Sequence, residues 1–254
     1  MQPQYMGYTP PMFFETTTQA PLKIETVTEL SNKTIIPTDP EQTGLKNDFG
    51  MVLFEKYRPQ DFNSILGQKE IVDSVKNHLR NLPHMILKGT PGTGKTTLVN
   101  VIAKELGAEL LVLNSSDDRG INTIRKDSKI PKSGRVMDFI RHSDFTGRLK
   151  IVFFDEADGM TPEAQDCLKA IIEKYSFKVR FIFACNNIGK IIDPIKSRCK
   201  EYQFKKIDAA DMLLRLQYIN EQEHLGVNKE YLQRITLEAD GDLRKAINLL
   251  QGGC

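Results

Sequence analysis

The segment Gly89-Thr-Pro-Gly-Thr-Gly-Lys-Thr96 constrains the fold of this chain more than any other part of it. It matches the pattern G-x-x-x-x-G-K-[ST], in which backbone N–H groups curl around phosphate oxygens and the following helix N-terminus adds partial positive charge. The apolar stretch His84–Lys88 precedes this loop, and an amphipathic helical pattern begins after it at Leu98. A strand, a glycine-rich loop and a helix in this order predict a phosphate-binding α/β fold.

Three more apolar runs of strand length follow along the chain. They span Leu110–Asn114, Lys150–Asp155 and Val179–Cys185, and they are rich in β-branched and aromatic residues. Continuous runs of this kind are typical of strands buried on both faces of a parallel sheet. Thr161 followed by Pro162 predicts a helix start between the last two runs. The alternation predicts an α/β, doubly wound parallel sheet.

The pattern becomes purely helical in the last fifth of the chain. Apolar residues recur at helical spacing from Met212 to Ile219 and again from Leu243 to Leu250. We therefore predict a nucleotide-binding α/β domain over residues 51–207 and a small helical lid domain over residues 208–254.

Residues 1–50 differ in composition from the rest. They contain 6 of the 12 prolines, and 3 Lys/Arg against 6 Asp/Glu, so they carry a charge of −3 while the whole chain carries +2. They show no sustained helical or strand period, which predicts a disordered or loosely attached tail. The apolar pair Phe13-Phe14 leaves a partner-binding peptide open as the alternative.

Composition excludes several classes of protein. The longest apolar runs, such as Ile151–Phe154, are too short to cross a membrane, and the first residues lack the pattern of a secretory signal. The four cysteines are far apart, without a C-x-x-C pair, which argues against a zinc site or a disulfide scaffold. We expect an intracellular protein with no membrane partner.

The glycine-rich loop and the end of the run at Asp155 together predict an ATP and Mg²⁺ site. Lys95 would reach the β- and γ-phosphates, and the Thr96 hydroxyl would ligate the metal. Asp155 would hold the magnesium hydration shell, and Glu156 would orient and deprotonate the attacking water. The alternatives are a glycine-rich turn that binds nothing and, for the nearby Asp158, a solvated or helix-capping role.

Several further motifs occur in a fixed order. They are Glu55-Lys-Tyr-Arg-Pro59 with Leu66-Gly-Gln68, Leu113-Asn-Ser-Ser-Asp-Asp-Arg-Gly-Ile121, Asp155-Glu-Ala-Asp158, Ala184-Cys-Asn186, Ser197-Arg-Cys199 and Gly241-Asp-Leu-Arg244. With the glycine-rich loop, they resemble the AAA+ ATPases and, more closely, the small subunits of replication factor C, the sliding-clamp loader family of archaea and eukaryotes with viral relatives. The resemblance runs from about Phe54 to Gln251.

The resemblance implies roles for three polar residues. Asn186 matches the first sensor, which contacts the γ-phosphate or the attacking water. Arg198 matches an arginine that completes the active site of a neighbouring subunit in trans. Arg244 matches the second sensor, which touches the nucleotide and couples its phosphate state to the angle between domains. The alternatives are a strand-end turn residue for Asn186 and an ordinary surface salt bridge for Arg198.

The resemblance also assigns the base and ribose side of the nucleotide to Phe54, Arg58 and Leu66. Phe54 stands where the family usually has valine. The predicted nucleotide contacts are therefore Phe54, Arg58, Leu66, Gly89, Thr90, Pro91, Gly92, Thr93, Gly94, Lys95, Thr96, Thr97, Asn186 and Arg244.

Residues 119–150 are strongly basic. They contain nine Lys/Arg and three Asp, a charge of +6. On composition such a run is most simply a solvated face. The resemblance places it where a loader faces primer–template DNA, and Lys/Arg contacts to phosphate are independent of sequence and sensitive to salt. We therefore predict that Arg119, Arg125 and Lys126 contact the DNA backbone.

The resemblance implies the following overall function. The chain would be an ATPase, completed in trans, within a hetero-oligomeric ring that opens and loads a sliding clamp at primer–template junctions during DNA replication. The alternatives are another AAA+ DNA motor or remodelling ATPase, of the branch-migration type, or a non-hydrolysing structural subunit. The compartment would be cytoplasmic for an archaeal or prokaryotic viral protein and nuclear for a eukaryotic one.

Small subunits of this family continue into a helical collar domain that holds the ring together. The sequence ends at Cys254, directly after the last helical stripe. Both a fragment and a split or reduced protein are compatible with this. Without a collar, weak self-association and low ATPase activity are expected, because Arg198 must act in trans.

Overall fold

A parallel β-sheet forms the centre of the fold. The computed structural model describes residues 51–115, 120–124, 134–142 and 147–253. The five strands found there are β1 (Met85–Lys88), β2 (Glu109–Asn114), β3 (Lys150–Asp155), β4 (Val179–Cys185) and β5 (Lys200–Gln203). Their order is β2-β3-β4-β1-β5, and all neighbours are parallel. The strand before the glycine-rich loop and the strands ending at Asp155 and Cys185 are therefore adjacent.

The helices of the α/β part pack on the two sheet faces or at the sheet edge, except for the first, whose Leu53 packs with the C-terminal helices. They are α1 (Leu53–Lys56), α2 (Lys69–His78), α3 (Lys95–Glu105), α4 (Ile121–Ile124), α5 (Arg135–Arg141), α6 (Pro162–Tyr175) and α7 (Asp193–Lys196). Helix α6 begins where the sequence predicted, because the Thr161 hydroxyl accepts a hydrogen bond from the Ala164 N–H at 3.3 Å.

Apolar side chains cover both faces of this sheet. Along β3, Val152 and Phe154 pack into a core with α6, whereas Ile151 and Phe153 pack on the opposite face with α2 and α3. For β3 and β4 this is the two-sided burial that the continuous apolar runs predicted. For β2 the prediction was wrong, because this strand lies at one end of the strand order, is only partly buried and exposes Val112. The predicted α/β parallel sheet is confirmed, and the four predicted strands agree with the structure to within one residue at either end.

Three helices follow the sheet and share a core of their own. They are α8 (Ala209–Gln222), α9 (Lys229–Ala239) and α10 (Leu243–Gly252). Met212, Leu216 and Leu250 are fully buried in this core, which also takes in Leu53 of α1. The division into domains at residue 207 stays a prediction. None of the helices in the described part of the chain is long and apolar enough to span a membrane.

His84, at the entry to β1, should make the stability of the fold depend on pH. Its Nδ1 accepts a hydrogen bond from the Phe181 N–H at 3.1 Å, and its ring contacts the Phe181 ring. Burial, helped by the nearby Arg180 charge, lowers the pKa of His84 to about 4. Below about pH 6.5 His84 becomes protonated in the unfolded chain but stays neutral in the folded chain. The free energy of unfolding therefore falls as the pH is lowered.

Between about pH 7 and about pH 5 the free energy of unfolding should fall by about 2 kcal/mol. The measurement is the free energy of urea unfolding, compared between the parent chain and His84→Gln, which replaces the ring-nitrogen acceptor by an amide oxygen that does not titrate. The other three histidines are exposed and contribute equally to both proteins. Equal slopes against pH in the two proteins would contradict the prediction.

Candidate nucleotide site

A cleft opens at the carboxyl ends of β1, β3 and β4, next to helices α8 and α10. This is the edge where open α/β sheets bind their ligands. The cleft brings together twelve of the predicted nucleotide contacts and the acidic pair at the end of β3, namely Phe54, Arg58, Leu66, Pro91, Gly92, Thr93, Gly94, Lys95, Thr96, Thr97, Asp155, Glu156, Asn186 and Arg244. Gly89 and Thr90 do not line it. Their carbonyl oxygens instead bind the Lys95 side chain.

The glycine-rich loop runs from β1 to the first residue of α3. A β-carbon on Gly89 would lie 2.7 Å from the Phe204 β-carbon and 2.8 Å from its carbonyl oxygen, so only glycine fits there. Gly94 caps α3 with φ of 99°, in the left-handed region that glycine adopts without strain. These two positions let the loop turn tightly and direct the N-terminus of α3 into the cleft.

Lys95 lies in the middle of the cleft. Its Nζ donates to the carbonyl oxygens of Gly89 and Thr90 at 2.8 Å each, and to Asn186 Oδ1 at 3.4 Å. Burial lowers the pKa of Lys95, and the Asp155 carboxylate opposes this effect. All three acceptors are neutral, so the ammonium group keeps its charge available for an anion.

The two predicted metal ligands lie together. The Thr96 hydroxyl donates to Asp155 Oδ2 at 2.9 Å, which joins the first turn of α3 to the end of β3. One hydroxyl and one carboxylate, both oxygen donors, suit Mg²⁺, which is held by few protein ligands and keeps several waters. The residues present therefore fit this metal.

Glu156 follows Asp155 in a left-handed backbone conformation, with φ of 52° and ψ of 41°. In an extended strand two consecutive side chains would point to opposite faces. The sharp turn after β3 ends this alternation, and both carboxylates line the same cleft. This conformation costs a non-glycine residue roughly 1 kcal/mol.

The turn after β4 is tied to the turn after β3. The Asn187 N–H donates to Asp158 Oδ2 at 3.3 Å, so this carboxylate, although partly exposed, also contacts the turn after β4. The buried Gln165 amide of α6 donates to the Lys190 carbonyl and accepts from the Ile192 N–H, both at 2.9 Å. These contacts fix the segment that carries Asn186 into the cleft.

Arg198 lies outside the cleft, after α7. Its Nε donates to Glu173 Oε1 of α6 at 3.1 Å, its Nη2 pairs with the same carboxylate, and its Nη1 donates to the Pro194 carbonyl at 2.6 Å. The side chain is thus held by a half-exposed salt bridge within its own chain. Its role in trans stays a prediction.

The basic stretch is only partly within the described residues. Arg119, Arg125 and Lys126 lie outside them. Lys150, counted in the +6 charge, is buried, and its Nζ donates to the carbonyls of Phe139 and His142 at 2.7 and 2.6 Å and pairs with Glu109 at 3.3 Å. Including Lys150 in a DNA-facing charge was therefore wrong, because this ammonium group holds the end of α5 against β2.

Arg215 of α8 lines the cleft but was not predicted. Its Nη2 donates to the Tyr57 carbonyl at 2.8 Å, its guanidinium carbon lies 5.6 Å from the centre of the Tyr218 ring, and burial lowers its pKa. The sequence around it indicates an amphipathic helix, in which one arginine looks like any solvated residue. No feature of the sequence distinguishes it.

Comparison with a family model supports the fold. Residues 85–207 match the model of the "ATPase family associated with various cellular activities (AAA)". Among solved structures, the chain is similar to the Thermotoga maritima RuvB Holliday junction branch migration motor, with a TM-score of 0.63 and 19% identity over 77% of this chain and 64% of that one. At this identity the likeness shows the fold alone.

Curated relatives are similar at the level of sequence. Replication factor C small subunits from Methanococcus vannielii and Aeropyrum pernix are 39% and 42% identical over 78% and 79% of this chain. The chain spans 63% and 62% of the length of these relatives, which is less than two thirds. The chain belongs to the AAA+ ATPases, within which it is a relative of the replication factor C small subunits.

Proposed function

We propose that this protein is an ATP-hydrolysing subunit of a sliding-clamp loader. The observation that carries the proposal is the cleft that holds Lys95, Thr96, Asp155, Glu156 and Asn186 together in a chain about 40% identical to replication factor C small subunits. The substrates would be ATP and water, with Mg²⁺ as cofactor, and the products ADP and phosphate. The intact set of polar residues argues against a non-hydrolysing structural subunit.

The residues of the cleft have separate tasks in this reaction. Lys95 and the loop N–H groups bind the phosphates, while Thr96 and Asp155 would hold Mg²⁺, which neutralises phosphate charge when bound. Glu156 takes the proton of the attacking water, and Asn186 orients that water or the γ-phosphate. Arg244, on the first turn of α10, contacts the nucleotide from the lid. Phe54, Arg58 and Leu66 line the base and ribose side.

Arg198 would complete the site of a neighbouring subunit. A guanidinium suits this task, because its planar donors face the charge that develops on the transferred phosphoryl group. The salt bridge with Glu173 would have to open before Arg198 could reach a second subunit. The proposed partners include other loader subunits, as this role of Arg198 requires. A sliding clamp and primer–template DNA are the further proposed partners.

The proposed division of labour follows the predicted domains. Residues 51–207 would bind and hydrolyse ATP, residues 208–254 would form the lid, and residues 1–50 a tail. Arg119, Arg125 and Lys126 would contact the DNA backbone.

DNA should stimulate ATP turnover by the full chain mixed with the clamp-loader subunits and sliding clamp of the same organism. We expect stimulation by primer–template DNA that falls steeply with added salt, and a further increase when the clamp is present. Replacing Arg119, Arg125 and Lys126 by Ala should remove the stimulation and reduce the salt slope. The control variant replaces the exposed residues Arg80, Lys104 and Lys229 by Ala, which removes the same charge. It should change neither the stimulation by DNA nor the salt slope.

Two outcomes would count against the proposal. Unchanged stimulation and salt slope in the Arg119, Arg125 and Lys126 variant would overturn the DNA contacts. Processive strand movement with no response to the clamp would favour the branch-migration alternative over the loader.

A further inference from the structure

The Arg244 side chain lies over an aromatic ring inside the cleft. Its guanidinium carbon is 5.6 Å from the centre of the Phe54 ring, and both residues line the cleft. A cation within about 6 Å of a ring face is attracted by the electrons of that face. Such a contact does not use the N–H groups, which lie in the plane of the guanidinium and stay available for phosphate oxygens.

The short helix α1, which carries Phe54, is fastened to the C-terminal helices. The Leu53 N–H donates to Gln251 Oε1 of α10 at 3.0 Å, and the Leu53 side chain is buried in the core of α8, α9 and α10. Lys56 pairs with Glu223 at 3.1 Å, after α8, and Arg215 donates to the Tyr57 carbonyl. These contacts fix the Phe54 ring relative to Arg244.

The start of α10 is held against the glycine-rich loop. Asp242 caps this helix, since its Oδ1 accepts a hydrogen bond from the Lys245 N–H at 2.9 Å. The same oxygen lies so close to the loop that a β-carbon on Gly92 would come within 1.7 Å of it. The first turn of α10, with Arg244, is therefore positioned from the loop side by Asp242 and from the α1 side by Phe54.

We infer that Phe54 is a positioning residue that orders the Arg244 guanidinium inside the cleft, with its N–H groups available to phosphate oxygens. Arg244 is exposed, and a free arginine side chain has many rotamers, so ordering it on binding costs entropy. The ring restricts those rotamers before nucleotide arrives. An acidic partner would do the same but would compete with the γ-phosphate for the N–H donors, whereas a ring face does not.

This inference rests on the proposed nucleotide site and on a contact between Arg244 and the γ-phosphate. It therefore concerns the preference for ATP over ADP, measured as the ratio of the two dissociation constants by calorimetric titration in the presence of Mg²⁺. Binding needs no second subunit. Phe54→Leu keeps an apolar side chain and removes the ring, and Phe54→Tyr keeps the ring.

Phe54→Leu should reduce the preference for ATP by about 2- to 5-fold, and Phe54→Tyr should leave it unchanged. In an Arg244→Ala background, Phe54→Leu should have no further effect on the ratio, because the residue acts through Arg244. Should Phe54→Leu unfold, as checked by thermal melting, Phe54→Met replaces it as the ring-free variant.

Three outcomes would overturn the inference. Equal weakening of ATP and ADP binding by Phe54→Leu would mean that the ring contacts the base. If Phe54→Leu leaves the preference for ATP over ADP unchanged while Arg244→Ala reduces it, the inference about Phe54 is wrong and the role of Arg244 stands. An unchanged ratio in Arg244→Ala would reject the contact with the γ-phosphate itself.

Discussion

Replacing Glu156 by Gln should lower the turnover of ATP by about 10²- to 10⁴-fold while ATP affinity stays nearly unchanged. The reason is geometric. Glu156 and Asp155 line one cleft because the backbone turns into the left-handed region after β3, and Asp155 is the carboxylate that accepts from Thr96 at the proposed metal position. The amide of Gln keeps the size of the side chain but cannot accept a proton from water. Phosphate release under saturating ATP measures the effect.

The matched control is Glu163→Gln. Glu163 is exposed in the first turn of α6, outside the cleft, so the same chemical change there should leave turnover at the parent level. Both variants should melt within a few degrees of the parent. A Glu156→Gln protein that keeps most of its turnover would assign the proton transfer to another group and reopen the structural-subunit alternative.

Replacing Lys95 by Ala should weaken ATP binding by about 10- to 150-fold, the equivalent of one charge-assisted hydrogen bond. The ammonium group contacts the neutral oxygens of Gly89, Thr90 and Asn186, which a phosphate would outcompete through charge. Lys95→Arg should restore little of the affinity, because a planar guanidinium does not fit a position shaped for a compact charge. Calorimetric titration with ATP and Mg²⁺ measures these constants.

Lys104→Ala is the control for this prediction. Lys104 is exposed near the end of the same helix, α3, so its loss removes one charge from the protein without touching the loop. Its ATP affinity should equal that of the parent. A Lys95→Ala protein that binds ATP normally would show that the loop does not hold the phosphates in the proposed way.

Most of the sheet could be predicted because its inner strands are buried on both faces and are therefore apolar along their length. Strand β5, Lys200-Glu-Tyr-Gln203, was missed because only Tyr202 is buried and the other three residues are exposed. Among the described strands β5 pairs with β1 only, and a strand at the edge of a sheet needs no apolar run. The prediction for Lys150 failed in the opposite direction, because a residue expected to be exposed is buried. Its ammonium group contacts Glu109 and the Phe139 carbonyl, and the charge of the surrounding stretch does not indicate these contacts.

The candidate site also contains residues that could be predicted from the sequence and contacts that could not. Residues Pro91 to Thr97 belong to one contiguous motif, and the sequence predicted that they lie together at the cleft, whereas the predicted Gly89 and Thr90 do not line it. The contacts of Arg215 with Tyr57, of Asp242 with Gly92 and of Arg198 with Glu173 join segments that are distant in the chain. The spacing of residues along the chain does not indicate these contacts, so only the packing of the folded chain reveals them.

The polar character of β5 also bears on aggregation and assembly. An outermost strand exposes unpaired backbone groups that invite pairing with another chain, and charged side chains along such a strand discourage it. Lys200, Glu201 and Gln203 are exposed on β5, which lies at one end of the sheet order. We therefore expect copies or partners of this subunit to join through side-chain surfaces, and not by extending the sheet across β5 from one chain to the next.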